Sequence, residues 1–114
     1  MANISVTPQD VDRDGVDVTR QDSLSTENTY RVQNNGRVIL HLTKEGAGDC
    51  TGTVAMQKSV DGETVPDKTF TVPATTGEVV AGPYPPNLYN VPGENYFELT
   101  FSEVTGLSFA AVRI

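Results

Sequence analysis

The chain has no tryptophan, one histidine (His41) and one cysteine (Cys50). Each shortage excludes a class of chemistry. A single His with no second His or Cys near it in sequence, and without recognisable partners, is not expected to be a metal ligand or a catalytic base. A single Cys cannot close an internal disulfide, and no basic neighbour in sequence lowers its pKa, so an inert thiol made in a reducing compartment is expected. No G-x-S-x-G elbow and no phosphate-cradling glycine loop occurs. No apolar run approaches the length of a membrane-spanning helix. Basic residues are also scarce, 8 against 15 acids, for a net charge of −7. Nucleic acids and anionic membranes demand the opposite balance, so neither is an expected partner. Nor does the periodicity of an amphipathic helix appear anywhere.

What remains is a 114-residue chain, 37% hydrophobic. That length fits one domain, and a domain of this size buries roughly 65% of its unfolded surface, enough for a core without metal or disulfide support. The start, Met1-Ala2-Asn3-Ile4, lacks the basic region and apolar core of a secretory signal, so synthesis and assembly in a cytoplasm are expected. Residues 1–27 differ from the rest. Asp10, Asp12, Asp14, Asp17, Asp22 and Glu27 crowd a polar stretch whose main apolar content is Val6, Val11, Val16 and Val18. Short strands are expected near 4–7 and 16–19. The segment reads as edge strands or as an arm that orders on a partner.

Residues 28–114 read as a run of short strands. Tyr30 and Val32 precede Asn34-Asn35-Gly36, a hairpin signal, and Val38, Leu40 and Leu42 follow on one face of a strand over 37–43. His41, on the opposite face, is expected to make a cross-strand polar contact. Further strands are expected over 53–58, over 68–72 with Phe70 and Val72 inward, and over 96–101 with Phe97, Leu99 and Phe101 inward. Asp61-Gly62 has the chemistry of a second tight turn. In the last strand, 107–114, the apolar parity shifts between Phe109 and Val112, which implies a bulge at Ala110-Ala111 or cover on both faces there. The fold class is therefore all-β: a single-domain β-sandwich or small barrel of about eight strands with a polar acidic N-terminal segment.

Two segments stand out as candidate sites. Residues 81–90 carry Pro83, Pro85 and Pro86 among Tyr84, Leu88 and Tyr89. Prolines forbid ladder donors and stiffen an extended crossing. One reading is a rigid connection whose Tyr rings cap the core. The other is an exposed surface in which Tyr84, Pro85, Pro86, Leu88 and Tyr89 meet a protein partner. Asp10-Val11-Asp12-Arg13-Asp14-Gly15 matches the opening of a calcium loop, but the twelfth position is Gln21 where a bidentate Glu belongs, and Arg13 lies inside. A solvated acidic turn is expected instead, with no cofactor or metal. Asp10, Asp12 and Asp14 then become candidates for contact with an electropositive partner.

The chain resembles a family of small β-rich virion proteins of tailed bacteriophages. The resemblance rests on Asn35-Gly36-Arg37 with Leu40, on Asp61-Gly62 with Val65 and Asp67, and on Thr71-Val72-Pro73-Ala74. It continues through Gly82-Pro83-Tyr84-Pro85, Tyr89-Asn90 and the closing Ala110-Ala111-Val112-Arg113-Ile114. It covers about two-thirds of the chain, while residues 1–27 do not share the pattern. The resemblance implies a non-enzymatic, head-associated structural protein. Its implied role is capsid decoration: a cement protein on the exterior of the major capsid protein lattice, stabilising the head. The implied partner is the major capsid protein, a homotrimer is one expected state, and the location is the virion surface after assembly in the host cytoplasm. Another virion component, such as a head–tail connector or tail protein, and a carbohydrate-binding or adhesion sandwich are the alternatives.

Overall fold

The computed structural model describes residues 3–22 and 24–114. Met1, Ala2 and Ser23, which belong to the expected N-terminal segment, lie outside the described residues. The strands are β1 (Asn3–Val6), β2 (Gln9–Asp10), β3 (Thr29–Gln33), β4 (Val38–Lys44), β5 (Cys50–Val54), β6 (Ser59–Val60), β7 (Glu63–Thr64), β8 (Lys68–Val72), β9 (Gly77–Ala81), β10 (Tyr96–Phe101) and β11 (Leu107–Arg113), with one helical turn, α1 (Pro86–Tyr89). Two mixed sheets face each other. One has the order β1-β3-β10-β5-β8, the other β2-β11-β4-β9, and β6 and β7 form a separate hairpin. The protein is a β-sandwich.

Strict alternation builds the core. In β4, Val38, Leu40, Leu42 and Lys44 are buried while Ile39, His41 and Thr43 are only half-buried, and β10 alternates in the same way through Phe97, Leu99 and Phe101. Each strand thus presents one apolar face to the opposite sheet. Tyr30, Phe101 and Phe109 pack at centroid distances of 5.6–5.7 Å across the interior. Cys50 is fully buried at the start of β5. Burial pushes its thiol pKa up, outweighing the opposing pull of nearby backbone hydrogen bonds and of Lys44, a basic neighbour that sequence distance conceals.

Several sequence expectations change. Asn34-Asn35-Gly36 does not close a hairpin: β3 and β4 lie in different sheets, so the turn carries the chain across the sandwich. Asp61-Gly62 does close one, between β6 and β7, with Asp61 at φ 51°. The strand expected over 53–58 lies at Cys50–Val54. Beyond Val54 the amides of Ala55, Met56 and Gln57 turn to Glu98, Asp67 and Leu88. In β11 the pairing with β4 runs without interruption from Leu107 to Arg113, and Ala110 and Ala111 are both buried. No bulge exists there, and the parity shift reflects cover on both faces.

The first residues belong to the sandwich. β1 pairs parallel with β3, β2 pairs parallel with β11, and Val6 sits in the core. Edge strands, not a free arm, describe residues 3–10. The strand expected over 16–19 is absent. The Gln9 side chain instead bonds the Asp17 carbonyl and the Thr19 amide, closing residues 11–20 into a loop off the free edge of β11. Gln21 then returns to pair with Phe109.

Candidate partner-binding site

The proline-rich segment is a folded corner. After β9 the chain passes through a cis Gly82-Pro83 bond, then Tyr84 and Pro85, and winds into α1. Pro86 sits in the first turn, where its missing N–H costs nothing. The extended crossing expected over this stretch is therefore overturned for residues 86–89. Tyr84 and Tyr89 are buried, packed edge-on at 5.3 Å, with Tyr84 also 5.2 Å from Phe97. Their rings cap the core, and they do not offer free area to a partner. Desolvation, helped by the neighbouring Tyr89, pushes the Tyr84 phenol up to about 12. Of the five residues singled out here, only Pro85 and Pro86 are exposed, and Leu88 is half-buried.

A buried amide fixes this corner. Asn34 donates from Nδ2 to the Tyr84 carbonyl (2.8 Å) and to Asn90 Oδ1 (2.9 Å), and its Oδ1 accepts from the Gly36 amide (2.9 Å). Asn90 Nδ2 donates back to the Asn34 carbonyl (3.0 Å). Gly36 has φ 90°, and a Cβ there would stand 3.1 Å from the Pro86 ring. Glycine is thus required both by the backbone and by the close approach. Phe70, Val79, Val80, Pro83, Pro85 and Leu88 line an open, mainly apolar groove of about 440 Å³ between edge strands β8 and β9.

The acidic candidates lie at the other edge of the same sheet. Arg113 Nε donates to Asp10 Oδ1 at 2.5 Å, and this bond holds the Asp10 carboxyl below its ordinary range. Asp12 Oδ1 accepts from the Asp14 amide (3.0 Å), and its carbonyl accepts from the Gly15 amide (3.0 Å). The calcium-like string is thus a local turn in which Asp12 bonds its own backbone. No group of three or more His, Cys, Asp or Glu side chains gathers at metal-binding distance among the described residues. Asp12 and Asp14 are exposed. From β2 to β9 is three strand spacings, about 14 Å, so the two candidate clusters share one end of the sandwich without touching.

Sequence reasoning missed Arg20. It reaches over the outer face of the four-stranded sheet and donates from Nε to Ser108 Oγ (3.0 Å), from Nη1 to His41 Nδ1 (3.1 Å) and from Nη2 to Thr43 Oγ1 (3.1 Å) and the His41 carbonyl (3.2 Å). A guanidinium only donates, so His41 Nδ1 accepts and its proton sits on Nε2, which lies 3.3 Å from Glu78 Oε2. His41 is the cross-strand polar contact expected of it, now with two charged partners. No pattern in the sequence near Arg20 announces this reach of 88 residues to Ser108. Lys44, fully buried and donating to the Thr105 carbonyl, was equally illegible.

Comparisons with protein-family models, with curated proteins and with solved structures found no match to this chain.

Proposed function

We propose that this protein is a capsid decoration protein of a tailed bacteriophage, which binds the exterior of the major capsid protein lattice and stabilises the head. The observation that carries the reading is where the resembling residues fall. Asn35-Gly36 lies more than 40 residues before Gly82-Pro83-Tyr84-Pro85 and Tyr89-Asn90, yet all three meet in the one corner that Asn34 ties together. Part of the resemblance therefore falls on one built structural feature. Charge supports the same reading. A net charge of −7 keeps free copies apart before assembly and favours a basic partner surface. The proposal assigns the protein no catalytic step, since decoration needs only many modest contacts repeated over a symmetric shell.

The experiment is co-sedimentation of the purified protein with mature, expanded shells of the major capsid protein of the phage proposed to encode it. The expected result is saturable binding in fixed proportion to capsid subunits and a raised disruption temperature of the loaded shells. Binding to purified tails or connectors, with none to shells, would overturn the proposal.

A further inference from the structure

The two outer faces of the sandwich differ in kind. That of the five-stranded sheet is polar and closed. Thr100, Thr53 and Thr69 stand in one cross-strand row, with Thr51 opposite Thr71 beside it. Its aromatic, Tyr96, is covered by the Arg31 guanidinium 5.0 Å from the ring centre, and Arg31 is itself paired with Glu98 at 3.6 Å. On the four-stranded sheet the outward-facing Val112, Ile39 and Val80 lie on three adjacent strands, with Val112 directly opposite Ile39 and Val80 diagonal to it on β9, opposite His41. The large aliphatic residues most open to solvent among the described residues are Val11, Val16, Val18, Val80 and Ile114, 43–63% exposed. All five belong to this sheet, to its C-terminal continuation or to the 11–20 loop at its edge.

Charge around these residues is mainly acidic. Arg20 is spent on the sheet and Arg113 on Asp10. Asp12, Asp14 and Asp17 remain exposed on the loop and Glu78 on β9, against exposed Arg13 and Arg37. Scattered exposed valines need no explanation, but an aliphatic cluster with a net acidic rim on one face only does. A second copy docking face to face would set one net acidic rim against another, so an isologous dimer is disfavoured here.

We propose that the outer face of the four-stranded sheet, together with the 11–20 loop clamped by Arg20, is the docking face, and that its occupant is a protein surface with an apolar centre and a basic rim. This inference rests on the decoration reading, in which the occupant is the capsid exterior and the threonine face points to solvent. Asp12 and Asp14 then belong to the docking face, whereas the corner at residues 84–89 flanks it. The loop arrives ordered, because Arg20, Gln9 and Gln21 already hold it, so little entropy is lost on contact.

The test compares two double variants on the same expanded shells. Val16→Asp with Val80→Asp places charge on the proposed face. Ser5→Asp with Thr71→Asp places the same charge on the opposite face, at its two edge strands. All four positions are exposed, so melting temperatures should stay near that of the unaltered protein. The first pair should weaken shell binding by about tenfold or more, the second by less than about twofold. Asp14→Lys with Asp17→Lys should also weaken binding and flatten its salt dependence. Normal binding by the first pair and loss by the second would overturn the docking face while leaving decoration standing. No shell binding by the unaltered protein would remove the decoration reading, and this inference with it.

Discussion

Arg20→Ala is the sharpest test of how the N-terminal loop is held. The guanidinium donates to Ser108 Oγ, His41 Nδ1, Thr43 Oγ1 and the His41 carbonyl at 3.0–3.2 Å. Bonds from a charged donor contribute about 1.5–3 kcal/mol each where fully buried. This site is only partly buried, the bonds share acceptors, and solvent screens them, so the sum overstates the effect. The acceptors are also not abandoned: Thr43 Oγ1 and Ser108 Oγ remain 3.0 Å apart and bond each other. A loss of about 2–3 kcal/mol follows, which for a chain of this length lowers the melting temperature by about 10 °C. Arg20→Lys should recover less than half, since an ammonium cannot fork across four acceptors on three residues. The assays are a thermal melt and amide exchange at Gln21 and Phe109, whose backbones bond each other in both directions. A change under about 0.5 kcal/mol, with both amides as protected as before, would refute the clamp.

Three further outcomes follow from the packing. Gly52→Ala should destabilise by about 1–3 kcal/mol, because a Cβ there would stand 2.3 Å from the Phe70 ring that lies over it, and the displaced ring should alter the β8–β9 groove; an unchanged urea midpoint would contradict this. The Tyr84 phenol, raised from 10.0 to about 12 in the fold, contributes stability that is complete below pH 10 and is lost as pH rises from 10 towards 12; the loss is at most about 3 kcal/mol and should vanish in Tyr84→Phe when the two alkaline melts are compared. Removing residues 2–10 should cost about 2–4 kcal/mol, because it strips Val6 from the core and bares the edges of β3 and β11; a truncated protein as stable as the full chain would restore the free-arm reading.

The sequence was most legible where one face of a strand is buried. Alternation through Val38, Leu40 and Leu42 and through Phe97, Leu99 and Phe101 placed β4 and β10 and their inward sides within a residue or two. The signal is physical: a slip of one residue would turn every apolar side chain to solvent. Turn chemistry was legible in conformation but not in connectivity. Asn34-Asn35-Gly36 does turn the chain, yet a positive-φ glycine serves an inter-sheet corner as well as a hairpin, and only the pairing of β3 with β10 decides between them. The 84–89 stretch misled in part because prolines suggest extension, whereas Pro86 at the start of a helical turn is equally comfortable. Tyr84 and Tyr89 were read both as core caps and as contact residues, and burial selects the first. Arg20 and the grouping of Val112, Ile39 and Val80 lay beyond sequence reasoning. Both depend on which strands become neighbours, and long-range pairing leaves no local trace.

The central claim is attachment to a capsid exterior, and a near-atomic map of purified virions of the phage proposed to encode this chain tests it most directly. The account predicts this sandwich on the outer surface at positions repeated over the whole lattice, with the four-stranded sheet and residues 11–20 against the shell and the threonine face outward. Density for this fold confined to the portal vertex or the tail, or its absence from the particle, would contradict the account.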